Sequence, residues 1–438
     1  MNNSYFIQQA TMINEGLSAQ GSLFVRNGVI EEIYTQGEQP QIPSDTTIID
    51  ARGLLLFPGI IDTHVHFREP GATHKADIAA ETKAAVAGGI TSFMDMPNNS
   101  PAITSLDLLE EKFERATQTS LANYSFYLGA TNENLEEIKK INSKNIGGVK
   151  LFLGSSTGNM LVNDEKTLSA IFAESPVLIA AHCEDETIIQ RNIADFKSRY
   201  GENISAKFHS LIRSEEACVQ STEHTIALAE KYNAQLHVLH LTTAKETTLF
   251  GTHAKITAEA CIPQLWFCDD DYERLQNFVK CNPAIKTAND RNALRNAVSK
   301  GIITTIASDH APHTRDEKLQ SYWNAPSGMP SLQYSLPLML EIFSPETVVS
   351  KMCHAPALLF NMQRRGFIRK GYYADLVLVN PSEKWTITDD TVLSKCGWTP
   401  YAETTLQHKI THTFVNGNLV AENGKINETY KGQRILFN

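Results

Sequence analysis

The chain has 438 residues, 20% of them charged, with a formal net charge of −10 at pH 7. This length suits one large domain plus a smaller one, and an acidic balance with no basic run argues against nucleic acid or an anionic membrane as main partner. Cys183, Cys218, Cys261, Cys268, Cys281, Cys353 and Cys396 form no Cys-x-x-Cys pair, and there is neither a leader-like start nor an 18-residue apolar run. The expectation is a cytoplasmic protein with reduced thiols, of enzyme size, acting on a small molecule.

Residues 1–57 look like short strands. Leu23-Phe24-Val25-Arg26-Asn27-Gly28-Val29-Ile30 places Asn-Gly between β-branched runs, the signature of a type I′ hairpin, and Thr413-Phe414-Val415-Asn416-Gly417-Asn418-Leu419-Val420 repeats it near the other end. Two such hairpins predict that 1–57 and 363–438 meet in one small composite β domain, with 58–362 inserted between them. Within the insert, strand-like runs alternate with helical ones. The candidate strands are Ile60–Phe67, Ile90–Met96, Tyr124–Leu128, Gly148–Leu153, Val177–His182, Gln235–Leu241, Lys255–Cys261 and Ile302–Ser308. Ala76–Ala87 is Ala-rich and closes on Gly88-Gly89, which reads as a helix with a glycine stop. The order is that of an α/β protein, a (β/α)8 TIM barrel and not a doubly wound sheet, and such barrels carry their chemistry at the C-terminal strand ends.

Polar residues collect at those ends. Ile60-Ile61-Asp62-Thr63-His64-Val65-His66-Phe67-Arg68-Glu69-Pro70-Gly71 sets His64 and His66 two apart, so on a strand both imidazoles, and Arg68 after them, share one face. The fourth run carries Lys150, the fifth ends in His182, the sixth in His240 and the eighth in Asp309. Singly, each has a plainer explanation: a hydrogen-bonded rim histidine, a snorkelling lysine, a helix-capping aspartate. Together, at the face where barrels do chemistry, they form a metal-ligand set.

Four imidazoles and a carboxylate can hold two zinc ions if an anion bridges them. A neutral lysine amine that takes up CO2 becomes a carbamate, able to bind one metal through each oxygen, and burial favours the neutral amine. Water shared by two metals is acidified, and Asp309 is placed to accept its proton and pass it to a leaving nitrogen.

The Asp62–Gly71 run, Lys150, His182, His240 and Ala307-Ser308-Asp309-His310-Ala311-Pro312-His313 resemble the amidohydrolase superfamily, and within it the dihydroorotase family of cyclic amidohydrolases, which serves pyrimidine synthesis. The likeness spans nearly the whole chain, including Gly371-Tyr372-Tyr373-Ala374-Asp375-Leu376-Val377. It implies reversible, zinc-dependent cyclisation of N-carbamoyl-L-aspartate to L-dihydroorotate. One zinc would be held by His64, His66 and Asp309 and the second by His182 and His240, with a carboxylated Lys150 bridging. It also implies substrate contacts from Arg68, Asn98, Asn282 and His313, and from Ser327 and Gly328 through the backbone of their loop. A homodimer is common among similar enzymes. The chain departs from many relatives at Ala284, Lys286 and Ser331, all near the substrate loops.

Dihydropyrimidinase-, hydantoinase- and allantoinase-like enzymes would share the metal site. Arg68 separates them, because a neutral ring offers no carboxylate to offset a buried guanidinium. Of a different class is a catalytically inactive barrel serving as a scaffold subunit, but such a protein is free to lose ligands and none is lost here.

Overall fold

In the computed structural model, which describes residues 4–38, 40–154 and 160–438, the central strand runs close into a parallel barrel. Its strands are β1 (Ile60–Val65), β2 (Ile90–Asp95), β3 (Asn123–Phe126, continued by Leu128–Gly129), β4 (Gly148–Phe152), β5 (Leu178–His182), β6 (Leu236–Val238), β7 (Ile256–Cys261) and β8 (Thr305–Ala307). Each pairs with the next in parallel register. The seam between β8 and β1 is closed by His66 N–H donating to His310 O at 2.7 Å, and by Ser308 N–H donating to the Asp62 carboxylate at 3.1 Å. Asp62 also accepts from His64 N–H. Burial pushes its carboxyl up to about 6, and its work lies in joining the two strands that carry the site.

Several strands are shorter than the apolar runs predict, for a shared reason. Arg68, His240 and Asp309 have φ of 65°, 61° and 46°. A non-glycine residue in this left-handed region cannot continue a ladder, and each costs about 1–3 kcal/mol unless its surroundings enforce it. The chain turns at the strand ends and aims these side chains inward. Arg68 therefore lies beyond β1, and not on the same strand face as His64 and His66 as alternation predicts.

The Ala-rich segment forms a helix over Ile78–Ala87. Asp77 caps it by accepting from Ala80 N–H, and Gly89 (φ 79°) follows the stop.

Both ends of the chain build one further sheet. Strands Ser4–Asn14, Leu17–Arg26 and Val29–Thr35 run antiparallel; Leu55–Pro58 pairs with the first of these and with Leu376–Asn380, which pairs in turn with Lys409–Val415 and its hairpin partner Asn418–Glu422. The two turns have the expected positive φ, at Asn27 and Gly28 (52° and 82°) and at Asn416 and Gly417 (45° and 72°). They also press together: a Cβ on Gly417 would sit 2.7 Å from Gly28 Cα. Ile7, Leu23, Val25, Leu56, Leu376, Leu378 and Phe414 form the sheet's buried face. The C-terminal segment also reaches the barrel mouth, where Trp398 Nε1–H donates to His313 O at 2.7 Å. Among the described residues no helix is long and apolar enough to cross a membrane.

Candidate metal and substrate site

At the C-terminal ends of the barrel strands lies a cavity of about 300 Å³. Every residue expected from the sequence lines it: His64, His66, Lys150, His182, His240 and Asp309, with Arg68, Asn98, Asn282, His313, Ser327 and Gly328.

His64 Nε2 and His66 Nε2 stand 3.3 and 3.4 Å from the same oxygen of Asp309, and the three ligand atoms lie within 4.8 Å of one another. The far side of each ring is engaged. His64 Nδ1 is 2.7 Å from Glu259 Oε1 and His66 Nδ1 is 2.7 Å from Asn98 Oδ1. Both partners are acceptors, so each ring carries its proton on Nδ1 and turns the Nε2 lone pair toward Asp309, the orientation a metal ligand needs. Burial drives His66 down to about 4, against the pull of Asp309, so it stays neutral. For Asp309, burial works to raise the carboxyl, but His64 and His66 outweigh it and the net shift is downward. Two imidazole nitrogens and an ionised carboxylate fit a zinc-like ion.

Beside this group, where the His240 ring centroid is 5.2 Å from that of His64, His182 Nδ1 and His240 Nε2 face each other at 2.7 Å. His182 Nε2 is 2.7 Å from Glu184, which Arg213 grips through hydrogen bonds of 2.6 and 2.9 Å. Glu184 thus holds the His182 proton on Nε2 and leaves the Nδ1 lone pair toward His240. Burial lowers the pKa of both rings, and for His240 the neighbouring His182 and His64 add to it. His182 Nδ1 then accepts from His240 Nε2–H; with that proton released, the two nitrogens would make half of a second metal site, and a further anionic ligand is required. Lys150 stands beside them, with Nζ 4.4 Å from the centroid of Phe152. Burial brings its amine down to about 7 despite the nearby Asp309 and Glu259. A large share of the amine is then neutral at physiological pH, the form whose lone pair attacks CO2.

On the substrate side, Arg68 Nε–H donates to Pro312 O at 3.1 Å and Arg68 Nη2 lies 3.0 Å from His313 Nε2. The acids that could have claimed the guanidinium are occupied: Glu69 accepts from Ile78 N–H and Asp77 caps the helix while pairing with Lys395. Among the described residues no carboxylate lies within 4.0 Å of Arg68. Burial lowers its pKa to about 10, so it remains charged near neutrality. Asn98, its carbonyl spent on His66, keeps its amide N–H groups as donors. The 326–328 loop is stapled by the buried ammonium of Lys318, which donates to Pro326 O, Gly328 O and Lys280 O at 2.9, 2.8 and 3.2 Å. Gly328 N–H donates to Lys280 O, so its backbone holds the wall together, and a Cβ there would come 2.6 Å from Ala311 O. Ser327 O faces His313 Nε2 at 3.0 Å.

Sequence reasoning missed Glu259, Glu184 and Arg213. Glu259 sits inside an apolar strand and Glu184 two residues past His182; a buried acid beside ligand histidines was the available signal. His64, Glu259 and Cys261 also bring potential ligand atoms within 4.8 Å of one another. Its carboxylate is committed to His64, and burial raises the Cys261 thiol well above its ordinary range, so this trio stands behind the ligands and is not a third site. The departures at Ala284 and Ser331 are absorbed locally, with Ala284 O accepting from Thr242 Oγ1 and Ser331 Oγ meeting Tyr401 OH.

The Amidohydrolase family model matches residues 55–420. Among curated relatives, a dihydroorotase from Methanosphaera stadtmanae is 29% identical over 421 residues, covering 94% of each chain. A dihydroorotase from Halobacterium salinarum is 33% identical over 358 residues, covering 79% of this chain and 82% of its own. Among solved structures, the L-hydantoinase (dihydropyrimidinase) of Arthrobacter aurescens superposes with a TM-score of 0.92 at 24% identity, with both chains fully covered. The dihydropyrimidinase of Brevibacillus agri gives a TM-score of 0.86 at 22% identity over 98% of each chain. At that identity the structural likeness speaks to the barrel fold.

Proposed function

The chain belongs to the amidohydrolase family, as a hydrolase of cyclic amide bonds, and we propose that it is a dihydroorotase, interconverting N-carbamoyl-L-aspartate and L-dihydroorotate in pyrimidine synthesis. The observation that carries this reading is Arg68. A half-buried guanidinium lines the cavity with no acid within 4.0 Å among the described residues, beside the donors of Asn98 and His313. Asp95, Asp309, Glu317 and Glu81 act on this charge only from a distance, and a substrate carboxylate is what would pair it directly. Neutral hydantoin and dihydropyrimidine rings carry none.

His64, His66 and Asp309 would hold one zinc, His182 and His240 a second, and a carboxylated Lys150 would supply the anionic ligand between them. Zinc held there supplies acidified water and polarisation of the amide carbonyl. The protein's own residues do the rest. Arg68, Asn98 and His313 bind the carboxylate and so fix which carbonyl faces the ligands. In hydrolysis Asp309 accepts the proton of the attacking water. It returns that proton to the ring nitrogen as the carbon–nitrogen bond breaks, leaving a carboxylate and a terminal ureido group. Cyclisation reverses the path, with Asp309 entering protonated.

The test is purified enzyme assayed with dihydroorotate, N-carbamoyl-aspartate, dihydrouracil and hydantoin. Dihydroorotate should be preferred by about a hundredfold in kcat/KM, on the order expected for a site whose guanidinium has no directly paired acid. Preference for the neutral rings would favour the hydantoinase-like alternative that the structural neighbours exemplify.

A further inference from the structure

The His313 ring has three polar neighbours at equal distance. Nδ1 is 3.0 Å from Lys75 Nζ, and Nε2 is 3.0 Å from both Ser327 O and Arg68 Nη2. A lysine ammonium and a guanidinium only donate, and a backbone carbonyl only accepts, whereas a neutral imidazole has one donor and one acceptor nitrogen. With the proton on Nδ1, the ring would set N–H against the Lys75 ammonium and a lone pair against Ser327 O; only Arg68 would be satisfied. With the proton on Nε2, Nδ1 accepts from Lys75 and Nε2 donates to Ser327 O.

The nearest acid does not rescue the first arrangement. Glu317 Oε2 is 3.8 Å from His313 Nδ1, beyond hydrogen-bond reach, and already accepts from Thr314 N–H at 2.9 Å and Thr314 Oγ1–H at 3.1 Å. Its other oxygen holds the Lys75 ammonium at 2.8 Å. The doubly protonated ring is disfavoured as well, because burial and then the charges of Arg68, Lys318 and Lys75 keep His313 neutral. Lys75 itself is fixed by the turn that follows Arg68, where Ala72 N–H donates to Arg68 O and Lys75 N–H to Ala72 O, both at 2.9 Å.

We infer that Lys75 is a positioning residue that holds His313 in its Nε2–H form, so that the one N–H it directs at Ser327 O can be shared with the substrate carboxylate. Lys75 does not line the cavity and acts through the ring alone. The proton choice leaves one contact unmatched: His313 Nε2–H, which also faces Ser327 O, and Arg68 Nη2–H are two donors 3.0 Å apart. Two donors converging this closely ask for one shared acceptor, and a carboxylate oxygen meets that demand. The specificity device then extends from Arg68 to Lys75, across the turn between them.

The inference rests on the dihydroorotase reading for the identity of the carboxylate, but its first test does not. Zinc-loaded enzyme carrying ring-15N-labelled histidine is examined by two-bond 1H–15N correlation without substrate, with His313 assigned by its loss in His313→Gln. The wild-type ring should show an unprotonated Nδ1 and a protonated Nε2. Lys75→Met should shift His313 toward the other tautomer or a mixture, and Lys75→Arg should restore the wild-type pattern. With dihydroorotate, Lys75→Met should raise KM about tenfold, the worth of one net hydrogen bond, while lowering kcat by less, and Lys75→Arg should recover most of the loss. A wild-type His313 protonated on Nδ1 overturns the proposal, and so does a Lys75→Met spectrum identical to wild type. A wild-type enzyme inert toward dihydroorotate overturns the substrate reading alone, since the ring spectrum still decides what Lys75 does.

Discussion

Glu259 Oε1 lies 2.7 Å from His64 Nδ1, with both side chains sealed from solvent beneath the cavity. Burial alone would raise this carboxyl, yet His64 and His237 outweigh it and keep Glu259 ionised. A fixed negative charge behind His64 anchors its proton and makes the opposite nitrogen a stronger donor to a cation. Glu259→Gln keeps the volume and removes the charge. Zinc affinity, measured by competition with a chelator, should fall by about 10–100-fold, the usual cost of losing such a partner. Unchanged affinity would reduce Glu259 to a packing role.

Lys150 predicts a pH-dependent reconstitution. Its amine is brought down to about 7 by burial, so in metal-free protein it is mostly neutral above that pH and mostly charged below. Carbamylation requires the neutral form. Zinc uptake with bicarbonate present should therefore be fast near pH 8 and slow near pH 6, and removing CO2 should slow it at pH 8. Lys150→Ala should lose bound metal and activity, with partial rescue by short carboxylic acids. Full activity in Lys150→Ala would exclude the bridge.

Asp309 predicts opposite pH trends for the two directions of reaction. Its pKa is lowered because His64 and His66 outweigh burial. Hydrolysis needs the ionised carboxylate, which persists down to acidic pH, whereas cyclisation needs the protonated form and should speed up as pH falls. Asp309→Asn should abolish both. A variant retaining a tenth of wild-type rate in either direction would refute the proton-transfer role.

Much of this was legible in the sequence, and the gaps have physical causes. Strand alternation and the strand-end rule suffice to gather His64, His66, Lys150, His182, His240 and Asp309, because barrel geometry brings the ends of distant strands to one face. The Asn-Gly hairpins announced a sheet shared by both termini, since a type I′ turn depends only on local φ preferences. Alternation could not show that the chain turns left-handed at Arg68, His240 and Asp309, because that strain is enforced by contacts distant in sequence. Nor could it find Glu259, Glu184 or Lys75. A charged residue within an apolar run, or in a loop, reveals its partner only when the fold has brought the two together.

Arg68 carries the choice of substrate, and its surroundings sharpen the experiment. The only hydrogen bonds of its side chain among the described residues are to Pro312 O and the shared contact with His313, and Glu69 and Asp77, two acids that could have made it structural, serve the helix beginning at Ile78. A charge-assisted bidentate contact to a carboxylate is worth roughly 1.5–3 kcal/mol, so Arg68→Met should lower kcat/KM for dihydroorotate by about ten- to a hundredfold or more. Zinc content should not change, because the guanidinium is not a ligand. Neutral dihydrouracil, a poor substrate in any case, should be turned over as slowly as before or slightly faster, since Met removes a charge that such a ring leaves uncompensated. A purely structural Arg68 would behave otherwise: loss of its bond to Pro312 O would loosen the wall for every substrate alike. Equal losses for dihydroorotate and dihydrouracil would therefore assign Arg68 to the loop, and the case for dihydroorotase over hydantoinase would lose its main support.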